Sequence, residues 1–384
     1  MSYPRSWDLF CRVVDNYGDV GVCWRLAREL AAMPGTVVRM WIDDLASLRM
    51  LVPGAARDVD VQSLAGIEVH RWTSAFPEVA PAEVCVEGFG CGMPERYVEA
   101  MAARHPSTLW IVLEYLSAEP WVREHHALAS PHPRWPLRRY FFFPGFERGT
   151  GGLLREADLL HRRDAYDTAA KRRYWADMGF EPPAEGANVM SMFAYPYAPL
   201  VPLLESWSHG SEPTVVGVPI GKLATTAAAW FGLPDIRPGT RAMRGALELR
   251  VVPFVPQERY DESLWSADCL FVRGEDSFVR AQWAGLPFVW HIYPQDERAH
   301  WRKLDAFLEL YCAGMSAADA EAVRSFWRAW NQFEPVPAAV GAAWHRFHER
   351  LPALRAHARN WAARLVQTGS LAENLAEFCR DKLK

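Results

Sequence analysis

Residues 7 to 31 decide the fold. They read Trp7-Asp8-Leu9-Phe10-Cys11-Arg12-Val13-Val14, then Asp15-Asn16-Tyr17-Gly18-Asp19, then Val20-Gly21-Val22-Cys23-Trp24-Arg25-Leu26-Ala27-Arg28-Glu29-Leu30-Ala31. The first block is short, apolar and β-branched toward its end, which is the composition of a buried strand. In the third block the apolar residues recur at helical spacing until Pro34-Gly35 stops the run. The pentapeptide between them is therefore a strand-to-helix turn. Gly18 allows the tight backbone, and Asp19 stands where an N-cap residue belongs. Such turns lie at the carboxyl edge of an α/β sheet, where open sheets bind ligands. Two carboxylates four residues apart, Asp15 and Asp19, are presented at that edge.

Outward from this turn, strand-like and helix-like segments alternate. Residues 36–42, 68–72, 83–87, 108–116 and 140–143 read as strands, and Pro94 opens a helix over 95–104. Residues 162–178 read as one exposed helix. Glu181-Pro182-Pro183-Ala184-Glu185-Gly186 then interrupts every periodicity and is the expected linker at 181–186. A second series follows, with strands at 188–195, 214–220, 247–254, 269–272 and 287–293, and helices at 200–208, 257–265 and 278–284. From Asp296 onward the pattern is helical. The expectation is an α/β protein of two Rossmann-like, doubly wound domains, 1–180 and 187–384, facing a cleft, with a helical C-terminus.

A chain of 384 residues is long enough for two separate cores. A net charge of −4 gives no electrostatic basis for binding nucleic acid or an anionic membrane surface. No apolar run reaches the ~18 residues that a membrane helix needs, and the first residues lack the pattern of a signal peptide. The seven cysteines are odd in number and contain no Cys-x-x-Cys pair. They fit the reduced thiols of a cytoplasmic protein, neither a disulfide framework nor a zinc site.

A second turn repeats the geometry of the first: Arg273-Gly274-Glu275-Asp276-Ser277 leaves a short strand and enters a helix. The free N–H groups of a helix start bind anions, phosphate above all. Ser277 adds a hydroxyl donor and Arg273 a bidentate cation. Glu275 would oppose a phosphate, so it needs its own task, such as holding Arg273 or a sugar hydroxyl. From spacing alone, Asp276 and Ser277 read equally well as plain N-cap residues. Upstream, Phe254 and Tyr260 can sandwich a base whose polar edge Gln257 reads, stacking being worth ~1–3 kcal/mol. Two core aromatics flanking a turn is the simpler reading. Phe193-Ala194-Tyr195-Pro196 ends another strand at the same edge.

Other signals carry less. Asp58-Val59-Asp60 matches the carboxylate pair of metal-dependent sugar transferases but has no strand or helix frame. His345 and His348 share a helical face without a third ligand nearby. Gly145 to Gly152 lacks the lysine of a phosphate loop and the spacing of a dinucleotide fingerprint, and reads as a mobile loop.

Together these stretches resemble one family, EarP, the bacterial protein-arginine rhamnosyltransferases acting on translation elongation factor P. The resemblance is carried by residues 10–22 and by Trp24-Arg25-Leu26-Ala27-Arg28. Phe143-Pro144-Gly145-Phe146 and Thr150-Gly151-Gly152-Leu153 extend it. So do Arg273-Gly274-Glu275-Asp276-Ser277-Phe278-Val279-Arg280-Ala281-Gln282 and Pro287-Phe288-Val289-Trp290-His291-Ile292-Tyr293-Pro294-Gln295. It implies a GT-B fold without a catalytic metal, dTDP-β-L-rhamnose as donor, and an arginine of elongation factor P as acceptor.

By motif position, the resemblance implies that Phe254, Gln257 and Tyr260 hold the thymidine. Arg273, Asp276, Ser277 and Tyr195 would meet the diphosphate, Phe193 would border the sugar, and Tyr293 joins this donor set. The family's catalytic carboxylates fall on Asp15, Asp19 and Glu275, and Asn16, Tyr17 and Gly18 form the acceptor loop between the first two. Arginine stays protonated in proteins, with a pKa above ~12, so two carboxylates suit it. Asp15 would orient the guanidinium in fork geometry, and Asp19 would accept the proton as general base. Whether Glu275 acts chemically or only positions Arg273 stays open. Two other readings also stay open: a GT-B transferase with another acceptor, and a non-catalytic nucleotide-sugar sensor.

Overall fold

The computed structural model describes residues 3–14, 17–106, 108–295, 299–332 and 336–383. The chain divides into two compact units, Met1–Glu156 with Arg364–Lys384, and Ala157–Ala363.

The first unit runs β1 (Ser6–Cys11), α1 (Gly18–Ala31), β2 (Val37–Ile42), α2 (Leu45–Leu51), β3 (Val61–Leu64), β4 (Ile67–Arg71), β5 (Val84–Gly88), α3 (Glu95–Ala103), β6 (Leu109–Leu113), α4 (Trp121–His125), β7 (Ala129–Pro131) and β8 (Arg138–Phe142). Its sheet has the order β3-β4-β2-β1-β5-β6-β8-β7. The edge strands β3 and β7 are antiparallel to their neighbours, and the strands between them are parallel. β1 lies between β2 and β5, so the strand order reverses there, and the carboxyl ends of β1 and β5 form the switch point at which such sheets bind ligands.

β1 is buried along almost its whole length, as expected for a strand covered on both faces. It also carries a charge, Asp8, with no exposed surface. The Arg39 guanidinium donates to both carboxylate oxygens at 2.6 Å, Trp41 Nε1 donates at 3.2 Å, and the Ala82 N–H donates at 2.9 Å. The Tyr97 hydroxyl donates as well. These donors come from β2, from the approach to β5 and from α3, so one satisfied carboxylate fixes β1 among its neighbours. Breaking one side of such a pair leaves an uncompensated buried charge and costs about 3–5 kcal/mol.

The second unit contains α5 (Leu159–Asp164), α6 (Thr168–Asp177), β9 (Asn188–Met192), α7 (Leu200–Ser208), β10 (Thr214–Pro219), α8 (Lys222–Trp230), β11 (Arg241–Arg244), β12 (Leu247–Val252), α9 (Tyr260–Trp265), β13 (Cys269–Arg273), α10 (Asp276–Ala284), β14 (Phe288–His291), α11 (Ala299–Tyr311), α12 (Ala317–Trp330), α13 (Pro337–His348) and most of α14 (Leu351–Val366). The sheet order is β11-β12-β10-β9-β13-β14. β11 is antiparallel and the rest parallel. Here β9 is the strand at which the order reverses, and the carboxyl ends of β9 and β13 are the switch point.

The boundary between units differs from the expected one. Residues 181–186 lie inside the second unit, as the turn ahead of β9. α6 reads as exposed because of its Arg, Lys and Asp, yet Tyr174 and Trp175 on it are buried. Trp175 fills the space above Gly217 of β10, where an added Cβ would approach its ring to 3.2 Å. The Arg250 guanidinium lies over the Trp175 ring at 4.9 Å and donates to the Glu181 carbonyl at 2.7 Å. The single helix expected over 162–178 is two, because Asp167 caps α6 by accepting the Ala170 N–H at 2.8 Å.

The last helix, α15 (Leu371–Lys382), belongs to the first unit. Ser370 and Glu373 form a capping box at its start. Leu371 N–H donates to the Leu153 carbonyl at 3.0 Å, and Asn374 Nδ2 donates to the Gly151 carbonyl at 3.0 Å. The glycine-rich stretch 145–152 is thus a packed turn rather than the mobile loop expected. A Cβ on Gly151 would meet the Phe142 ring at 2.7 Å and the Phe143 carbonyl at 2.9 Å. Among the described residues no helix is long and apolar enough to cross a membrane.

Candidate functional site

In the second unit the exits of β9, β12, β13 and β14 bring the expected donor residues into one connected group. The Arg273 guanidinium lies over the rings of Phe193 and Tyr195, 4.7 and 4.5 Å from their centroids. Phe193 meets Tyr260 and Phe254 edge-on at 5.9 and 6.5 Å, and Tyr195 meets Tyr293 edge-on at 5.7 Å. A guanidinium held on aromatic faces keeps its charge and its planar fork of donors. Burial pushes the Tyr260 phenol well above its ordinary range, so it stays protonated.

Gly274 has a φ of +57°, the left-handed turn that lets β13 pass directly into α10. Trp290 Nε1 donates to the Gly274 carbonyl at 2.8 Å, and the Trp290 ring stacks on Phe278 at 3.9 Å. Glu275 occupies the N-cap position of α10, but its side chain makes no capping bond. The Ser277 hydroxyl, expected to face a phosphate, is engaged within the turn. It accepts the Arg273 N–H at 3.0 Å and donates to the Arg273 carbonyl. Gln257 is buried, and its Nε2 donates to Asp276 Oδ2 at 3.0 Å, so the amide expected at a base edge braces the first turn of α10. Behind this turn the buried Arg280 guanidinium clamps Asp261 at 2.8 and 2.5 Å, tying α10 to α9, which begins at Tyr260.

One residue of this group was not singled out in the sequence, although it stands in a quoted motif. His291 is buried at the end of β14. Its Nδ1 accepts the Tyr195 N–H at 3.2 Å, which leaves the ring proton on Nε2. Burial, aided by the Arg273 charge, pushes its pKa down to about 3, so the imidazole is neutral. It meets Tyr197 at 5.0 Å, and Tyr197 in turn stacks on Tyr195 at 5.4 Å.

In the first unit Tyr17, not Asp19, takes the N-cap position, without a side-chain capping bond, and α1 begins at Gly18. Asp19 lies one residue further in, where the helix dipole favours a negative charge. Its carboxylate reaches back past the cap to accept the Val14 N–H at 2.8 Å. The Tyr115 hydroxyl donates to its other oxygen at 3.3 Å. The Tyr115 ring is stacked on Phe89 at 4.4 Å with 16° between planes. Tyr115 and Phe89 were missed; the available signal was Gly88-Phe89-Gly90 directly after a strand and Tyr115 at the exit of the most apolar one. Asp15 and Asn16 lie outside the described residues.

The discounted signals find separate partners. Asp60 faces Arg71 at 3.8 Å, His348 faces Glu212 at 3.6 Å, and His345 faces Ser206 at 3.3 Å. Among the described residues no three His, Cys, Asp or Glu side chains gather as metal ligands. The cysteines are free thiols.

Two doubly wound units, each with polar and charged side chains at its switch point, and a helical C-terminus define a GT-B glycosyltransferase. The fold is shared with MurG of Acinetobacter baumannii at a TM-score of 0.50 and 12% identity, over 98% of this chain and 99% of that one. A solved structure described as the structural basis for EarP-mediated arginine glycosylation of translation elongation factor EF-P is nearer. It has a TM-score of 0.68 and 34% identity, over 98% of this chain and 99% of that one. The chain belongs to the EarP family, whose model, described as elongation-factor P (EF-P) rhamnosyltransferase, matches residues 7–380. It is 46% identical to a protein-arginine rhamnosyltransferase of Pseudomonas putida, over 98% of this chain and 99% of the relative. It is 44% identical to one of Pseudomonas aeruginosa, over 98% and 100%.

Proposed function

We propose that this chain transfers rhamnose, with inversion, from dTDP-β-L-rhamnose to an arginine side chain of elongation factor P. The observation that carries the reading is the Arg273 guanidinium laid over Phe193 and Tyr195 beside the start of α10. A departing diphosphate calls for a fixed cation and a helix N-terminus, and Arg273 beside the start of α10 supports that reading. Phe254 and Tyr260 offer ring faces for the thymine, with Gln257 and Asp276 bracing the helix below, and Tyr293 closes the donor set.

At the other switch point Asp19 is the general base. A guanidinium nitrogen attacks the anomeric carbon from the side opposite the diphosphate, forming the C–N bond. The C–O bond breaks and its electron pair leaves with dTDP. The proton lost from nitrogen goes to the Asp19 carboxylate, and the product is α-linked. Asp15 orients the guanidinium, and Glu275 holds Arg273 toward the leaving group. The charge of the leaving group is met by Arg273 and the helix terminus, so the reaction needs no metal. A translation factor as acceptor fits a cytoplasmic enzyme without a nucleic-acid or membrane partner.

The test is one coupled assay. The purified chain, dTDP-β-L-rhamnose and elongation factor P are mixed, dTDP release is followed, and the acceptor is weighed by mass spectrometry. One added deoxyhexose on an arginine, with dTDP release dependent on the acceptor, is the expected result. Ligand binding without release would make the chain a sensor, and release only with another acceptor would move it elsewhere among transferases.

A further inference from the structure

The first unit holds an aromatic pair that the proposed mechanism does not use. Phe89 sits between Gly88 and Gly90 at the exit of β5, with a φ of +55°. A bulky L-residue rarely adopts this region, and the surrounding structure must hold it there. Gly88 cannot be larger, because a Cβ there would stand 2.8 Å from the Phe10 carbonyl and 3.0 Å from Cys23 Sγ. The turn is pinned by the Phe89 N–H, which donates to the Leu113 carbonyl at 2.7 Å. The strained backbone delivers the Phe89 ring flat against Tyr115, at 4.4 Å.

Tyr115 is 36% exposed, although apolar packing would bury such a ring. Its hydroxyl reaches Asp19, which is only 3% exposed, at 3.3 Å. Hydrogen bonds of this length at catalytic groups tighten when substrate arrives. The other Asp19 oxygen is held by the Val14 N–H. A carboxylate is thus presented next to an exposed aromatic ring that is backed by a second ring. A flat, delocalised cation can pair with the acid and lie on the ring together. A compact, strongly hydrated ammonium gains much less from the ring.

Resting on the reading above, we infer that Tyr115, seated on Phe89, is the residue that selects and positions the acceptor guanidinium. Its ring supplies the flat face, and its hydroxyl aims the Asp19 carboxylate. The two contributions separate by substitution. Tyr115→Phe keeps the ring and removes the hydroxyl, whereas Tyr115→Ala removes both.

The first measurement needs no transfer. N-acetyl-arginine amide and N-acetyl-lysine amide are titrated against the full chain by NMR. Tyr115→Ala is expected to bind the arginine amide about 5- to 30-fold more weakly, the span of a cation–π contact, with the lysine amide unaffected and Tyr115→Phe close to wild type. Equal arginine binding by wild type and Tyr115→Ala overturns the inference. The second measurement is steady-state kinetics with elongation factor P. Tyr115→Phe is expected to hold the acceptor KM while turnover falls about tenfold, the loss of one bond to a charged group, and Tyr115→Ala is expected to raise KM as well. Identical KM in all three proteins also overturns it. A wild-type chain that binds the arginine amide but never modifies elongation factor P would end the functional reading, with the guanidinium subsite still standing on the titration.

Discussion

The Ser277 hydroxyl grips the backbone of Arg273 at two points, accepting its N–H at 3.0 Å and donating to its carbonyl. Five residues, Arg273 to Ser277, are thereby closed into a ring that includes Gly274, whose φ is +57°. The ring sets the direction in which the Arg273 side chain leaves β13, and that direction lays the guanidinium over Phe193 and Tyr195. On the proposed reading, the serine acts on the leaving phosphate through the arginine.

Ser277→Ala removes both bonds and leaves two main-chain groups at the end of β13 without that partner. Unfolding in urea is expected about 1–3 kcal/mol easier. The affinity for dTDP, read by calorimetry, is expected to fall about tenfold as the Arg273 platform loosens. Lost stability with dTDP binding unchanged would detach the serine from the donor site.

Arg273→Lys keeps the positive charge and abolishes the planar stack. The ammonium cannot lie on two rings while offering a fork to phosphate oxygens. Turnover is expected to slow by roughly 100-fold or more, on the scale of losing one preorganised donor to developing charge. Transfer by the wild type should persist in EDTA. A lysine variant with near-normal turnover would show that charge alone suffices, and activity lost on chelation would require a metal.

Asp19→Asn is expected to stop rhamnosyl transfer while dTDP still binds. Removing a general base costs about 100- to 10,000-fold. The amide is nearly isosteric and can still accept the Val14 N–H, so the circular dichroism spectrum should not change. Mass spectrometry of elongation factor P after incubation with the variant reads the result, and modification at the wild-type rate would falsify the assignment of the base.

Much of this was legible along the chain, and the remainder has physical reasons for being hidden. β1, its turn and α1 are written as an apolar block, a glycine and a helical repeat, so the first switch point could be found. The group around Arg273 carries aromatic and phosphate-binding residue types at strand exits. The position of the unit boundary was not legible, because α6 buries Tyr174 and Trp175 beneath a polar composition. The direction of the Ser277 hydroxyl was not legible either, since a serine that holds a turn and one that holds a phosphate are the same residue at the same position. Tyr115 reaches Asp19 across 96 residues of sequence, and no local pattern encodes a contact of that span.

His291 links stability to pH, with a sign that can be worked out. Its pKa is pushed from the ordinary 6.5 down to about 3, by burial first and by Arg273 second. Between those values the unfolded chain binds a proton that the folded chain refuses. Acid therefore favours unfolding, and the contribution of this histidine is complete above pH 6.5 and lost as pH falls toward 3. Each pH unit in that window is worth about 1.4 kcal/mol, so the wild type should lose about 2–3 kcal/mol to this group between pH 6.5 and pH 4.5. His291→Gln keeps an acceptor for the Tyr195 N–H but cannot take up the proton. It is expected to be less stable than the wild type at pH 7, because a packed ring is gone, yet to lose less stability on acidification. Urea midpoints for both proteins at several pH values between 4.5 and 7 measure the difference in slope. Parallel lines would mean that His291 titrates alike in the folded and unfolded chain, and the neutral imidazole beneath Tyr195 would have to be abandoned.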